Sequence, residues 1–389
     1  MIKSLVFLGA AGLAAARVQF LGVSIAGGDF GCTIDGTCSL SSTQIPLKSL
    51  GGGDGEGQMK FFAQSNMYNM FRLPIAWQFL TATAGGPINE TNLAKYDQLV
   101  QACLATGATC LIDIHNYARF NGKIVGQSAG GPTDDDLASL WTALATKYAT
   151  NDKIAFELMN EPHDLDIKLW AATCQKVVTA IRKATNGKNT QIILLSGINF
   201  ASAGDLVKTG SGEALVAIKN PDGTIENLMI ALHKYLDADN SGTHADCVTN
   251  NTAAFGEAAA FLRAAKRQAI VSETGAAPNN TGCLAHFCEQ NAFINANSDV
   301  FAGLLTWGAG SFGTDYLLSE TPFFEGGKFI NQPLTQQCVV GTFMASTAGV
   351  SSLMEVTTTP MEVTKDGAST VVVSAWLMLL PALLAYLVL

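Results

Sequence analysis

Eight short apolar runs, most of them followed by a helical stretch, constrain this chain more than any other feature. They are Phe20–Ile25, Met70–Pro74, Thr109–His115, Ile154–Met159, Gln191–Leu195, Leu228–His233, Gln268–Ser272 and Val300–Trp307. Helical patterns lie between most of them, for instance Asn92–Thr106, Asp134–Thr150, Asp164–Thr185 and Ala253–Arg267. Near-continuous apolar runs of this length suit strands covered on both faces, as in a parallel sheet. Parallel neighbours need a crossover between them, and the helical stretches supply it. Eight such units, with no internal repeat or linker, predict an α/β fold in one domain, a (β/α)8 TIM barrel over residues 17–341. An open doubly wound sheet is the alternative. It would carry a Gly-rich phosphate loop after the first strand, and Ala26-Gly27-Gly28-Asp29 does not make one.

The strand ends collect the chemistry. The fourth run stops at Asn160-Glu161-Pro162. Pro162 lacks an N–H and biases Glu161 away from helical geometry, so the strand does not run on into a helix. The seventh run ends at Glu273. In a barrel these ends share one mouth, and two carboxylates there are what glycoside hydrolysis requires. The same mouth receives Arg72 from the second strand, His115 and Asn116 from the third, His233 and Tyr235 from the sixth and Trp307 from the eighth. Taken singly, each has a structural explanation: an ion pair, a satisfied core histidine, plain packing. Together they suit a sugar, with carboxylates for the bond, hydrogen-bonding groups for hydroxyls and an aromatic face for the ring.

Other chemistries fit poorly. The chain has no His-Glu-x-x-His and no Cys-x-x-Cys, and its five histidines are scattered, so neither a metal nor a cofactor is expected. Thr209-Gly210-Ser211-Gly212 is the nearest approach to a serine nucleophile turn, and it follows no strand. A formal charge of −9 without basic runs excludes a nucleic-acid partner. With 389 residues, 48% of them hydrophobic, the chain can fill one large core.

The two ends read as processing signals. Residues 1–16 hold Lys3, an apolar run and Ala14-Ala15-Ala16, the pattern of a secretory signal peptide. Residues 342–370 form a Ser/Thr-rich stalk, and 371–389 carry no charge. Behind the small cluster Asp366-Gly367-Ala368-Ser369, that tail reads as a glycosylphosphatidylinositol (GPI) attachment signal, with a transmembrane helix as the alternative. The expectation is a secreted monomer that meets the membrane only through a lipid anchor. Asn89, Asn250 and Asn279 head Asn-x-Thr acceptors, as a secreted glycoprotein would carry. Nine cysteines in that compartment should mostly pair, and Cys174, inside an amphipathic stretch, is expected to be the odd thiol.

Several longer segments resemble the fungal endo-β-1,4-glucanases of glycoside hydrolase family 5. These are Asp29-Phe30-Gly31-Cys32, Phe71-Arg72-Leu73-Pro74, Asp113-Ile114-His115-Asn116-Tyr117-Ala118-Arg119, Met159-Asn160-Glu161-Pro162-His163, His233-Lys234-Tyr235-Leu236-Asp237, Glu273-Thr274-Gly275 and Trp307-Gly308-Ala309-Gly310-Ser311-Phe312. The resemblance runs from about Val18 to Cys338. It implies a retaining cellulase acting on β-glucan polysaccharide, with Glu161 as acid/base and Glu273 as nucleophile. It also implies that Asn160 holds the sugar 2-hydroxyl, that Arg72, His115, His233 and Tyr235 surround the carboxylates, and that Trp307 stacks under the ring being cut. The implied disulfides are Cys32–Cys38, Cys103–Cys110, Cys247–Cys283 and Cys288–Cys338. Three departures stand out: the barrel follows the signal peptide with no cellulose-binding module, Phe120 and Phe200 replace tryptophans, and the lipid-anchor tail is added.

The chemistry of the pair sets further expectations. A retaining pair stands about 5–5.5 Å apart. Arg72 should lower the pKa of Glu273, and the charge of Glu273 should raise that of Glu161. The alternatives are a related β-glycanase or transglycosylase acting on mannan or mixed-linkage glucan, and a surface glycan-binding protein without turnover.

Overall fold

The computed structural model describes residues 17–345. Eight parallel strands close into a barrel: β1 (Phe20–Ala26), β2 (Met70–Ile75), β3 (Thr109–Ile114), β4 (Ile154–Glu157), β5 (Ile193–Ser196), β6 (Leu228–His233), β7 (Ala269–Glu273) and β8 (Phe301–Gly310). Each pairs with the next in sequence, and β8 pairs back onto β1, with Phe20 opposite Gly303 and Val23 opposite Thr306. The crossovers carry the helices α1 (Gly55–Ser65), α2 (Glu90–Leu104), α3 (Asp134–Lys147), α4 (Ile167–Ala184), α5 (Ser211–Val216), α6 (Thr252–Ala265) and α7 (Thr281–Ala296).

Helix starts follow local chemistry. Asn89 caps α2 by accepting from Asn92 N. Thr133 and Asp136 form a reciprocal capping box at α3, whose first turn also holds Asp134 and Asp135 against the positive end of the helix. Asp166 accepts from Lys168 N and Leu169 N and starts α4 three residues later than the sequence pattern suggests. Trp141 of α3 and Trp170 of α4 tie the helix ring to the strands, donating their indole N–H groups to Leu158 O and Ser196 O.

Inside the barrel, side chains alternate with the two-residue strand period. Phe20, Met70, Leu111, Ala155, Leu194, Met229, Ala231, Ile270, Ala302 and Leu305 form an enclosed apolar cluster. Two residues further along several strands stand Arg72, Asp113, Glu157, His233 and Ser272, all buried and all polar. The apolar floor therefore passes directly into a charged layer below the mouth.

Disulfides join Cys32–Cys38, Cys103–Cys110, Cys247–Cys283 and Cys288–Cys338, and Cys174 is free and buried in α4. A closing helical segment runs from residue 333 through Thr335–Val340 to residue 345 with Phe343 buried, so the first residues assigned to the stalk belong to the packed domain. The signal peptide 1–16, the rest of the stalk and the tail 371–389 lie outside the described residues. Among the described residues no helix is long and apolar enough to cross a membrane.

Candidate active site

Arg72 is the hub of the mouth. It is fully buried on β2. Its Nε donates to Glu157 Oε2 (2.7 Å), its Nη1 to Glu273 Oε2 (2.6 Å) and its Nη2 to Asn160 Oδ1 (2.8 Å). Nη2 also lies 2.9 Å from Asp113 Oδ2. A single guanidinium fork thus orients two glutamates, an aspartate and an amide from three different strand ends, as its planar donor set allows.

Glu273 is held at both oxygens. The Tyr235 hydroxyl donates to Oε1 at 2.6 Å, opposite the Arg72 contact on Oε2. Burial pushes this carboxyl above its ordinary value, outweighing the pull of His233 and Arg72. The expectation that Arg72 would set it low is therefore corrected: the attraction is present, but desolvation at the barrel end exceeds it.

Glu161 is the more open of the pair, with its side chain 15% exposed against 7% for Glu273. Its backbone sits in the left-handed region at φ +44°. Pro162 disfavours a right-handed turn there, and a non-glycine residue at positive φ is a conformation that surrounding structure must hold. His233 Nδ1 hydrogen-bonds Glu161 Oε1 at 2.8 Å. One oxygen of Glu161 and one of Glu273 lie within 4.8 Å of each other, with His233 Nδ1 between them.

Burial works against a charged His233, but Glu273, Glu157 and Glu161 outweigh it and raise the ring to about 10. It is an imidazolium at neutral pH. Its Nε2 faces Ser272 Oγ (3.1 Å) and Glu157 Oε1 (3.5 Å). Burial alone would push Glu157 up; Arg72 and His233 reverse that and hold it at about 2. Two fixed cations therefore sit among the carboxylates. Glu161, His233 and Glu273 have metal-ligand types at short range, but His233 Nδ1 is engaged by Glu161 and the Arg72 guanidinium lies against Glu273.

The remaining residues complete the floor and wall. His115 Nδ1 bonds Asp113 Oδ2 at 2.8 Å, and its Nε2 accepts from Asn160 Nδ2 at 3.3 Å. The His115 ring stacks on Trp307 at 5.7 Å and 20°. Trp307 donates its indole N–H to Tyr316 Oη (3.2 Å), and Tyr316 stacks on Phe312 at 3.8 Å.

Glu161, Glu273, Arg72, His115, Asn160, His233, Tyr235 and Trp307 thus join one connected site. Asn116 does not. Its Oδ1 accepts from Trp77 N, its Nδ2 donates to Gln78 Oε1, and it is fully buried, so it braces the wall behind the site. Phe120 is turned edge-on to Trp77 and buried, whereas Phe200 lies half-buried and stacked on His163 at 4.5 Å. Sequence reasoning missed Glu157, Asp113 and Ser272. Their signal was available: each is a polar residue two positions after an inward apolar one, in a strand read as near-continuously apolar.

Comparison with known proteins agrees with this geometry. Residues 36–310 match the family Cellulase (glycosyl hydrolase family 5). Endoglucanase EG-II of Hypocrea jecorina is 50% identical over 83% of this chain and 77% of its own length. Manganese dependent endoglucanase Eg5A of Phanerodontia chrysosporium is 40% identical over 80% of this chain and 77% of its own. The crystal structure of Cel5A (EG2) from Hypocrea jecorina superposes with a TM-score of 0.80 at 49% identity, covering 83% of this chain and 98% of that one.

Proposed function

The chain belongs to the family 5 glycosyl hydrolases, and from that premise we propose that it cuts internal β-1,4-glucosidic bonds by double displacement. It is an endo-β-1,4-glucanase. In the first step Glu161, protonated, gives its proton to the leaving oxygen while a Glu273 oxygen attacks the anomeric carbon. The bond to the leaving oxygen breaks as the bond to Glu273 forms. In the second step Glu161 removes a proton from water, which displaces Glu273 from the sugar. Arg72 and Tyr235 hold the nucleophile at both oxygens, so it is oriented before substrate arrives. His233 occupies Oε1 of Glu161, which leaves Oε2 to carry the transferred proton. Asn160, its carbonyl taken by Arg72, offers its amide N–H to the sugar 2-hydroxyl, and Trp307 stacks under the ring.

The observation that carries the double displacement is the short gap between the carboxylates, within 4.8 Å at their nearest oxygens. Inverting pairs stand about 6.5–9.5 Å apart to admit a water. Proton NMR of cellopentaose cleavage should show the new reducing end first as the β anomer; an α product would overturn the mechanism. A panel of carboxymethylcellulose, mixed-linkage β-glucan and mannan should rank the β-1,4-glucans first, and mannan as the best substrate would refute the glucanase specificity.

We further propose that the protein is a secreted, glycosylated monomer. Its signal peptide is residues 1–16, and residues 371–389 direct a GPI anchor. The four disulfides support an oxidising compartment. Phosphatidylinositol-specific phospholipase C should release the enzyme from intact cells, whereas recovery of Trp376 in the mature protein would overturn the anchor.

A further inference from the structure

Three Asn-x-Thr acceptors stand in different surroundings. Asn250 is half-buried; its Nδ2 donates to Glu289 Oε2 (2.8 Å) and its Oδ1 accepts from Thr252 N and Oγ1. Asn89 is exposed, and its Oδ1 caps α2. Asn279 is also exposed and has no side-chain hydrogen bond among the described residues. Its neighbour Asn280 does the structural work there, capping α7 through Gly282 N and binding Ala245 O and Asp246 Oδ1. Nothing therefore ties down the Asn279 amide.

Asn279 also lines a hollow of about 440 Å³ that Ala277 and Pro278 share with Asp315, Tyr316 and Leu317. One wall is the loop between β7 and α7, which leaves the strand of Glu273. The opposite wall is the loop after β8, whose Tyr316 accepts the indole N–H of Trp307. The hollow thus lies one side chain away from the sugar platform. It offers an aromatic ring, a proline and a leucine for a pyranose face, and a carboxylate for its hydroxyls.

We infer that Asn279 carries an N-linked glycan whose first N-acetylglucosamine seats in this hollow and braces the Tyr316 loop against the β7–α7 loop. The inference rests on the secretory route proposed above. The modification itself is a transfer from a lipid-pyrophosphate-linked oligosaccharide. Asn279 Nδ2 bonds to C1 of the terminal N-acetylglucosamine, the C1–O bond to pyrophosphate breaks with its electron pair on the leaving group, and the amide proton passes to a base of the transferase. The attached sugar then holds the two loops at the spacing that keeps Tyr316 on Trp307.

The test uses the full chain secreted from a fungal host, with glycopeptide mass analysis and kinetics on cellopentaose. Asn279 should be occupied. Asn279→Gln and Thr281→Ala should raise KM roughly 2- to 5-fold with kcat unchanged, the scale of ordering about one side chain. Thr281→Ser, which keeps the acceptor, should restore KM, and Asn89→Gln should leave it alone. Trimming with an endoglycosidase that leaves one N-acetylglucosamine should preserve the wild-type KM; a trimmed enzyme matching Asn279→Gln would overturn the seated first sugar. Occupancy at Asn89 or Asn250 without Asn279, or no glycan at any of the three on the secreted chain, would overturn this inference alone, whereas failure of the full chain to leave the host would overturn the secretory route on which it rests. A lower KM in Asn279→Gln would mean that the glycan obstructs the cleft, and would also overturn the brace.

Discussion

Met70 and Arg72 stand two residues apart on one strand, and Leu111 and Asp113, Ala155 and Glu157, Ala231 and His233, and Ile270 and Ser272 repeat the arrangement on four others. The first of each pair belongs to the apolar floor of the barrel and the second to the charged layer beneath the mouth. Both layers are excluded from water, and their energetics run in opposite senses. The floor gains from leaving water, about 25 cal/mol for each Å² of apolar surface buried. The charged layer loses by the same move and recovers only because Arg72 and His233 are each bonded to more than one carboxylate or amide partner. The lesson is that the floor makes the barrel stable, and that stability is what holds costly charges in position for catalysis.

The largest expected effect would come from the upper layer's reacting groups. Glu273→Gln should reduce kcat by roughly 10⁴-fold or more while the fold persists, because the covalent step has no substitute. Glu161→Gln should cost about 10²–10⁴-fold on cellulose-derived substrates and far less in the first step on an aryl glycoside whose leaving group needs no proton. Equal losses on both substrates would refute the assigned roles.

A second experiment sets the layers against each other. Leu111→Ala removes a fully buried floor side chain and should cost about 2–5 kcal/mol in urea unfolding, leaving kcat intact. Arg72→Met should cost about 3–5 kcal/mol, since it strands Glu157, Asp113 and Glu273 without their shared cation, and should also reduce activity. Adding Glu157→Leu to Arg72→Met should restore part of the stability and none of the activity. Restored activity would break the division of labour between the layers.

The most gradual effect is in the pH dependence of stability. The folded pKa of His233 is raised from 6.5 to about 10, so its contribution is complete below about 6.5 and fades as pH rises through about 10. The slope in that window is at most about 1.4 kcal/mol per pH unit. His233→Asn should be less stable at neutral pH and should lack this alkaline decline, with the two curves converging near pH 10. Parallel curves would show that His233 is not held as an imidazolium.

Much of this organisation is legible in the chain. The strand of Leu228–His233 coincides with its sequence pattern, and the strand expected over Ile154–Met159 ends at Glu157, although Leu158 N still bonds Leu194 O and Asn160 N bonds Ile114 O. Asn116 was misjudged because a strand end says which residues reach the mouth, while the direction of the next side chain depends on the turn that follows. Glu157 was overlooked because one carboxylate in an apolar run looks like noise until a partner is known.

What the sequence determined by itself is local: the apolar strands, the helices between them and their caps, and a proline that turns Glu161 out of the strand. These depend on residues a few positions apart, where steric and hydrogen-bonding preferences act directly. Tertiary structure alone decided which charges meet. Arg72 reaches Glu273 across 201 residues and Glu157 across 85, and only closure of β8 onto β1 brings those strand ends around one mouth. The protonation of the site belongs to the same level. Burial and charge compete over a few ångströms of folded space, so whether desolvation or Arg72 prevails at Glu273 depends on distances that no stretch of sequence contains.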